Sequence, residues 1–324
     1  LHVRSRRQRQ MCIRDSPISR PGWHASVLPQ RDAQGLSMLQ MIVSGVALGA
    51  IYGLIALGIV MVFKATGILN FAHGEAAMLS AFVAYTLFKL GLPLWAVVPL
   101  TLLFGAALGM AIERFIIRRF IGKALLSSAI CTLGLFLVFG DLAIWVWGKD
   151  TQELPSIFPA APIDIGGVIV SGIDLGIVAV CATLAALLFA FFRFTRLGIA
   201  MQATMENPTA ARLMGIPIKR IYALAWALSH VIAATAGLLI APLTFVHFSM
   251  MQHALHFAFA AAVLGGIGSM PGALLGGVII GVSSNLTGAY VSSAWKDAVP
   301  FIVMLVILIL RPHGLLARAQ IKKV

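Results

Sequence analysis

Residues 39–63 read LQMIVSGVALGAIYGLIALGIVMVF, without one charged side chain. A helix of about 20 apolar residues spans the hydrocarbon core of a bilayer, and a helix satisfies its own backbone hydrogen bonds there. The stretch is therefore read as a membrane-crossing helix. Gly45, Gly49 and Gly53 recur every four residues within it. Small residues at that spacing share one helix face and let a neighbouring backbone approach closely in lipid. Further apolar segments follow at 76–90, 94–113, 124–147, 174–192, 223–242, 255–268, 272–290 and 298–310. The expected fold is an all-α polytopic membrane protein, a bundle of about 8–9 transmembrane helices.

Composition agrees. Of the 324 residues, 60% are hydrophobic and 11% charged, against about 25% charged in a soluble domain. Too few polar side chains remain to cover a water-facing surface, and the chain is too apolar to be disordered. The net charge of +13 lies in short basic runs between apolar spans, a pattern that fits the positive-inside rule rather than nucleic-acid binding. The three cysteines follow neither a disulfide framework nor a metal-binding spacing. Residues 1–37 are expected to be a non-native leader. Met11-Cys12-Ile13-Arg14-Asp15-Ser16 resembles a translated sequencing adapter, and no apolar core of the kind a signal peptide needs follows it. Met38 or Met41 is the expected start, with 38–324 forming the transmembrane domain.

The basic clusters set an expected orientation. Arg114, Arg118, Arg119 and Lys123 share one loop, Arg193, Arg196, Arg212, Lys219 and Arg220 another, and Arg311, Arg318, Lys322 and Lys323 close the chain. All three are expected to be cytoplasmic. The loop 148–173 carries Asp150, Glu153 and Asp164 against Lys149 and is expected outside, with Gly166-Gly167 as a hairpin turn. Nine crossings would put the N-terminus outside, and eight or ten inside. Gly265, Gly266, Gly268, Gly272 and Gly276 add a second glycine-rich seam expected to pack helices closely.

Absent motifs narrow the chemistry. Gly122-Lys123 is followed by Ala124 and Gly148-Lys149 by Asp150, so the chain has no phosphate-binding P-loop of its own. Neither H-E-x-x-H nor G-x-S-x-G occurs, which argues against an intramembrane metalloprotease or serine hydrolase. No catalytic residue and no metal ligand is assigned.

Three places could carry function. Asn70, His73 and Glu75 form a polar cluster between the first two spans. At membrane depth such a cluster is costly and functional; as a surface turn, Asn70 would cap a helix and Glu75 would favour its N-terminus. Asp141 sits within the span 124–147 and is expected to face the bundle interior. His230, in the span 223–242, is expected to be neutral and bonded to a neighbouring helix. Finally, Glu206-Asn207-Pro208-Thr209-Ala210-Ala211-Arg212-Leu213-Met214-Gly215 has the grammar of a short helix: Asn207 as N-cap, Pro208 at the first position, Gly215 as the stop. Two turns are unstable alone, so this helix is expected either to dock on a partner through Ala210, Ala211, Leu213 and Met214 or to lie on its own bundle.

These residues resemble a family. Ala210, Ala211 and Gly215 match the coupling-loop pattern of ABC-transporter permeases, with Thr209 in place of its usual Glu. Asn70–Glu75, Glu206–Pro208 with Ala211–Pro217, and Val263–Gly272 are similar, in order, to branched-chain amino acid permeases of the LivH type, over about 38–316. The resemblance implies a multi-pass protein of the bacterial inner membrane, paired with a second homologous permease. It also implies two cytoplasmic ATPase subunits that use the ATP and a periplasmic substrate-binding protein. Glu206 to Gly215 would then be the ATPase-coupling segment, with the translocation pathway among Asn70, His73, Glu75 and Asp141. The alternatives are a permease for urea or short amides and an ion-coupled secondary transporter. The latter would want paired inverted repeats with broken helices, and the first half offers no counterpart to the glycine-rich 265–277 segment.

Overall fold

The computed structural model describes residues 30–316 apart from 160, 166–167 and 313. The helices run in the order α1 (Gln30–Thr66), α2 (His73–Lys89), α3 (Leu94–Phe115) and α4 (Leu125–Trp147). A small hairpin follows, β1 (Pro162–Ile165) with β2 (Val168–Ser171), and then α5 (Gly172–Phe194), α6 (Arg196–Glu206) and α7 (Pro208–Leu213). The described residues continue with α8 (Ile218–Thr244), α9 (Gln252–Gly265), α10 (Met270–Tyr290) and α11 (Val299–Leu310). The protein is an all-α polytopic membrane protein.

Each of the nine apolar segments is a helix, but only six are long and apolar enough to cross a membrane on their own. The other three, α2, α9 and α11, have 17, 14 and 12 residues, or roughly 25, 21 and 18 Å. The reason differs among them. Most of α2 and α9 is buried among other helices, so protein rather than lipid surrounds their ends. Helix α11 is short and largely exposed. Helix α1 begins at Gln30, ahead of the expected start at Met38, while residues 1–29 of the expected leader lie outside the described residues. Gly166 and Gly167 also lie outside them; the flanking strands pair antiparallel from Pro162↔Ser171 to Ile165↔Val168.

A glycine seam joins α1 to α10. A methyl group built on Gly49 would stand 2.7 Å from the Gly277 carbonyl oxygen and 2.8 Å from Val278 Cα. One built on Gly45 would stand 2.9 Å from Val282 Cα, and one on Gly53 2.9 Å from the Leu274 carbonyl. The order of partners reverses along the helix, so α1 and α10 run antiparallel. On α3, Gly105 and Gly109 press against the His230 and Trp226 carbonyls of α8. Gly276 lies against Ala261 of α9, and Gly265 against Gly272. Two expected packing residues do otherwise: Gly268 faces open space, and Gly266 is the C-cap of α9.

The two ends of the bundle differ chemically. One carries the Lys64–Glu206 ion pair at 3.4 Å and the bidentate Arg118–Glu113 pair at 3.0 and 2.7 Å. Arg118 also donates to the Lys219 carbonyl at the start of α8. At the opposite end Ser44 donates to Asp174, and Tyr85 to the Gln152 side chain. A two-way backbone bridge between Gln152 and Val246 holds the loop after α4 on the α8–α9 connection.

Candidate functional site

The buried polar centre begins where α1 ends. Gly67 turns the chain with φ +72°, a conformation that side chains disfavour. Residues 68–72 then re-enter the bundle: Ile68, Asn70 and Ala72 are at most 3% exposed. Thr132, two turns inside α4, donates to the Leu69 carbonyl at 2.9 Å. Irregular backbone at such depth is tolerated when protein encloses it. The cluster is thus the buried one rather than a surface turn. Asn70 is not the cap of α2; its Oδ1 accepts from the Ala72 amide at 3.2 Å, an Asx turn that presents the helix.

His73 opens α2 and is fully buried. Its Nδ1 lies 3.4 Å from Ser229 Oγ, and Ser229 donates to the Gly58 carbonyl at 3.0 Å. The hydroxyl has one proton, spent on Gly58, so the imidazole is the donor and carries its proton on Nδ1. Its Nε2 is then a bare acceptor, without a partner among the described residues. His230 stands next, with ring centroids 5.8 Å apart. It donates from Nδ1 to the Trp226 carbonyl at 2.8 Å. That partner is on its own helix, one turn back, and not on a neighbouring helix as expected. Trp226 stacks on it at 5.6 Å.

Glu75 is the third residue of α2, where the helix dipole favours an anion. It is 2% exposed, and its Oε2 has no partner among the described residues. Gly140 of α4 faces it: a methyl there would stand 3.9 Å from Oε2, in ordinary van der Waals contact. Asp141, one residue on, is exposed on the far side of α4. The structure therefore brings His73 together with Ser229, Trp226 and His230, buries Asn70 and Glu75 on the same stretch of chain, and leaves Asp141 outside. The reason is helical phase: the buried stripe of α4 is Ser128, Thr132, Leu135, Phe139 and Ala143, and Asp141 falls opposite it. Ser229, Trp226 and Thr132 were not singled out in the sequence. The adjacent Ser229-His230 pair in an apolar span was the available signal.

The second candidate is α7. Asn207 Oδ1 accepts from the Ala210 amide at 3.0 Å, Pro208 occupies the first turn, and Gly215 ends the element with φ +82°. The Ile216 amide closes the turn onto the Ala211 carbonyl at 3.0 Å. Ala211 is 4% exposed, whereas Leu213 and Met214 are 84% and 83% exposed. So the helix both lies on its bundle and presents a knob: Ala211 is the anchor, and the outward apolar surface is Leu213-Met214. Thr209, Ala210 and Arg212 are exposed beside it.

Residues 41–308 match the family model described as branched-chain amino acid transport system / permease component. The chain is 33% identical to the high-affinity branched-chain amino acid transport system permease protein LivH of Salmonella typhimurium, over 90% of this chain and 99% of that protein. It is 31% identical to BraD of Pseudomonas aeruginosa, described in the same words, over 88% and 98%. PsaBC from Streptococcus pneumoniae, solved in complex with a Fab, shares the fold, with a TM-score of 0.50 at 14% identity over 87% of this chain and 96% of that one.

Proposed function

Because the chain belongs to the family of permease components of branched-chain amino acid transport systems, we propose that it is the membrane-spanning subunit of an ABC importer for aliphatic amino acids. It sits in a bacterial inner membrane with a second, homologous permease. Two ATPase subunits dock on the basic end, and a periplasmic binding protein delivers cargo to the other. ATP is used by the ATPases. Lys64, Arg118, Arg193, Arg212 and Lys219 mark the cytoplasmic end. In this reading α2, α9 and α11 complete a nine-crossing bundle, and the N-terminal end of α1 lies outside.

The observation that carries the mechanism is the anchored knob. Leu213-Met214 offers an apolar surface that fits a groove on an ATPase, while Ala211 and the short 214–217 connection tie it to α8. A tilt of α7 becomes a rigid-body movement of α8. Eleven residues along, roughly 17 Å, α8 carries Ser229 and His230, which contact His73. Asn70, His73 and Glu75 retain unpartnered polar atoms. In this reading those atoms gain partners when the bundle opens to admit cargo, and this centre is the passage. Asp141 faces outward from the chain and reaches the cargo or the second permease from that side.

Uptake into proteoliposomes holding both permeases, the ATPases and the binding protein tests this reading. Labelled leucine or valine should accumulate when ATP is enclosed with the ATPase face and the binding protein is outside, and ionophores should leave it unchanged. Accumulation of urea or acetamide instead would overturn the cargo assignment. Uptake that collapses with the ion gradient would overturn the ABC mechanism.

A further inference from the structure

A cavity of about 1070 Å³ opens at the basic end between α1, α5, α6, the α9–α10 turn and the start of α10, with Leu308, Pro312 and Leu316 closing one side. Its walls include Leu57, Leu188, Phe189, Phe192 and Leu274. Leu57 lies seven residues, roughly 10 Å, from Lys64 along α1, so the cavity runs from the membrane boundary into the hydrocarbon layer. Phe189 is 62% exposed, so the cavity is open sideways as well. In its inner part, among Leu57, Leu188, Phe192 and Leu274, water lacks the polar partners that hold it. In a bilayer the surrounding solvent is acyl chain, and that is what can fill it.

The mouth is polar. Lys64 and Glu206 pair there at 3.4 Å, with side chains 31% and 70% exposed, and Gln202 lines the same cavity. The pair is loose. The ammonium keeps spare N–H donors, and the carboxylate keeps spare lone pairs. An inserted head group with both charges satisfies both: its phosphate accepts from Lys64 and its ammonium donates to Glu206. An anionic head group gains Lys64 but meets Glu206. A quaternary ammonium cannot donate to the carboxylate at all.

We propose that this groove is a phospholipid site for a zwitterionic, primary-amine head group of the phosphatidylethanolamine type, with an acyl chain between α1, α5 and α10. The lipid braces α5 and α6 against α1, directly ahead of the α7 knob. The inference rests on the membrane fold and on the basic end lying at the bilayer surface. It does not depend on the cargo.

The test uses the full chain, alone and assembled with its second permease and ATPases, in bilayers of equal parts phosphatidylethanolamine, phosphatidylcholine and phosphatidylglycerol. After mild detergent extraction, native mass spectrometry reads the retained lipid. Phosphatidylethanolamine should be enriched over both others. A Lys64→Ala variant should retain about fivefold less of it, the effect of one cation at a lipid head group. Leu188→Trp, which fills the wall, should lose it as well, while Leu103→Trp on exposed α3 should not. Because Lys64 is partly exposed, its truncation leaves the fold intact, and a melting scan verifies that. Equal retention of the three lipids, or of wild type and Lys64→Ala, overturns the site. So does retention by the lone chain that vanishes on assembly, since a protein neighbour then occupies the groove. Failure of amino-acid uptake with the lipid still retained would sink the transport reading alone.

Discussion

Alanine at Gly49 should destabilise the bundle, and the cost can be worked from the α1–α10 contact. The added methyl would meet the Gly277 oxygen at 2.7 Å and Val278 Cα at 2.8 Å. Both are backbone atoms of a regular helix, so no rotamer change removes the clash. Carbon contacts are comfortable at about 3.5–4.0 Å, and the helices must part by roughly 1 Å along the seam. Overpacking of this kind costs about 1–3 kcal/mol. Alanine also gains helix propensity over glycine, which would mask part of the loss. Gly134→Ala on α4 supplies the control: a methyl there meets nothing within 4 Å, yet the propensity gain is the same. Thermal melting of the purified chain in detergent, followed by tryptophan fluorescence, should put Gly49→Ala about 2–12 °C below Gly134→Ala. A second arm tests the geometry. A methyl on Gly281 would strike the N and Cα atoms of Gly49. Once the helices part for one methyl, the other has room, so Gly49→Ala with Gly281→Ala should cost less than the two singles added. Melting of Gly49→Ala alongside Gly134→Ala, or strict additivity of the pair, would refute the close-contact seam.

Three further outcomes follow from the ends and the centre. Arg118→Ala strands the fully buried Glu113 carboxylate and should cost about 3–5 kcal/mol; Glu113→Gln in the same chain should recover most of it, read by melting temperature. Leu213→Ser with Met214→Ser should abolish co-purification of the ATPase subunits while leaving melting unchanged, whereas Ala211→Glu should lower melting because that side chain is buried; intact co-purification by the double serine variant would move docking elsewhere. Ser229→Ala deprives the Gly58 carbonyl and His73 Nδ1 of a partner and should cost about 1–3 kcal/mol of stability; an unchanged melt would mean that the hydroxyl does not tie α8 to α2.

What the residues disclosed on their own was what local rules govern. The α7 element is an instance, since Asn207, Pro208 and Gly215 determine cap, first turn and stop without help from elsewhere. The glycine spacing of α1 likewise marked the face that approaches backbone. The orientation of Asp141 was not legible. In a soluble helix the buried face is the apolar one, but in lipid both faces are apolar, and the buried stripe of α4 even includes Ser128 and Thr132. Two residues of helical phase then decide between interior and exterior. The partnership of His73 with Ser229 was hidden for another reason: 156 positions separate them, and only the re-entry of 68–72 brings them together. Glu113 was overlooked although an acid late in an apolar span, with Arg118 five residues on, is itself a signal of a buried pair.

Two mechanical routes lead inward from α7, and burial separates them. Backward, α6 joins α5, whose Leu187, Phe189 and Phe194 are each more than half exposed. A helix with so little protein around it yields sideways before it transmits force. Forward, the 214–217 connection joins α8, whose middle is buried from Ala225 to Ala241 with few exceptions. Close-packed elements of that kind transmit displacement instead of absorbing it. Helix α8 is also held to α3 through Gly105 and Gly109 and to α2 through Ala77, whose carbonyl presses on Gly237. Arg118 fastens its first turn to Glu113. A push at Leu213-Met214 therefore reaches Ser229 and His230 with α2 and α3 already engaged, and α5 and α6 serve as the brace. That asymmetry gives Lys64–Glu206 its place: it ties α6 to α1 on the brace side, where a loose, solvent-exposed pair can break and re-form without disturbing the buried centre.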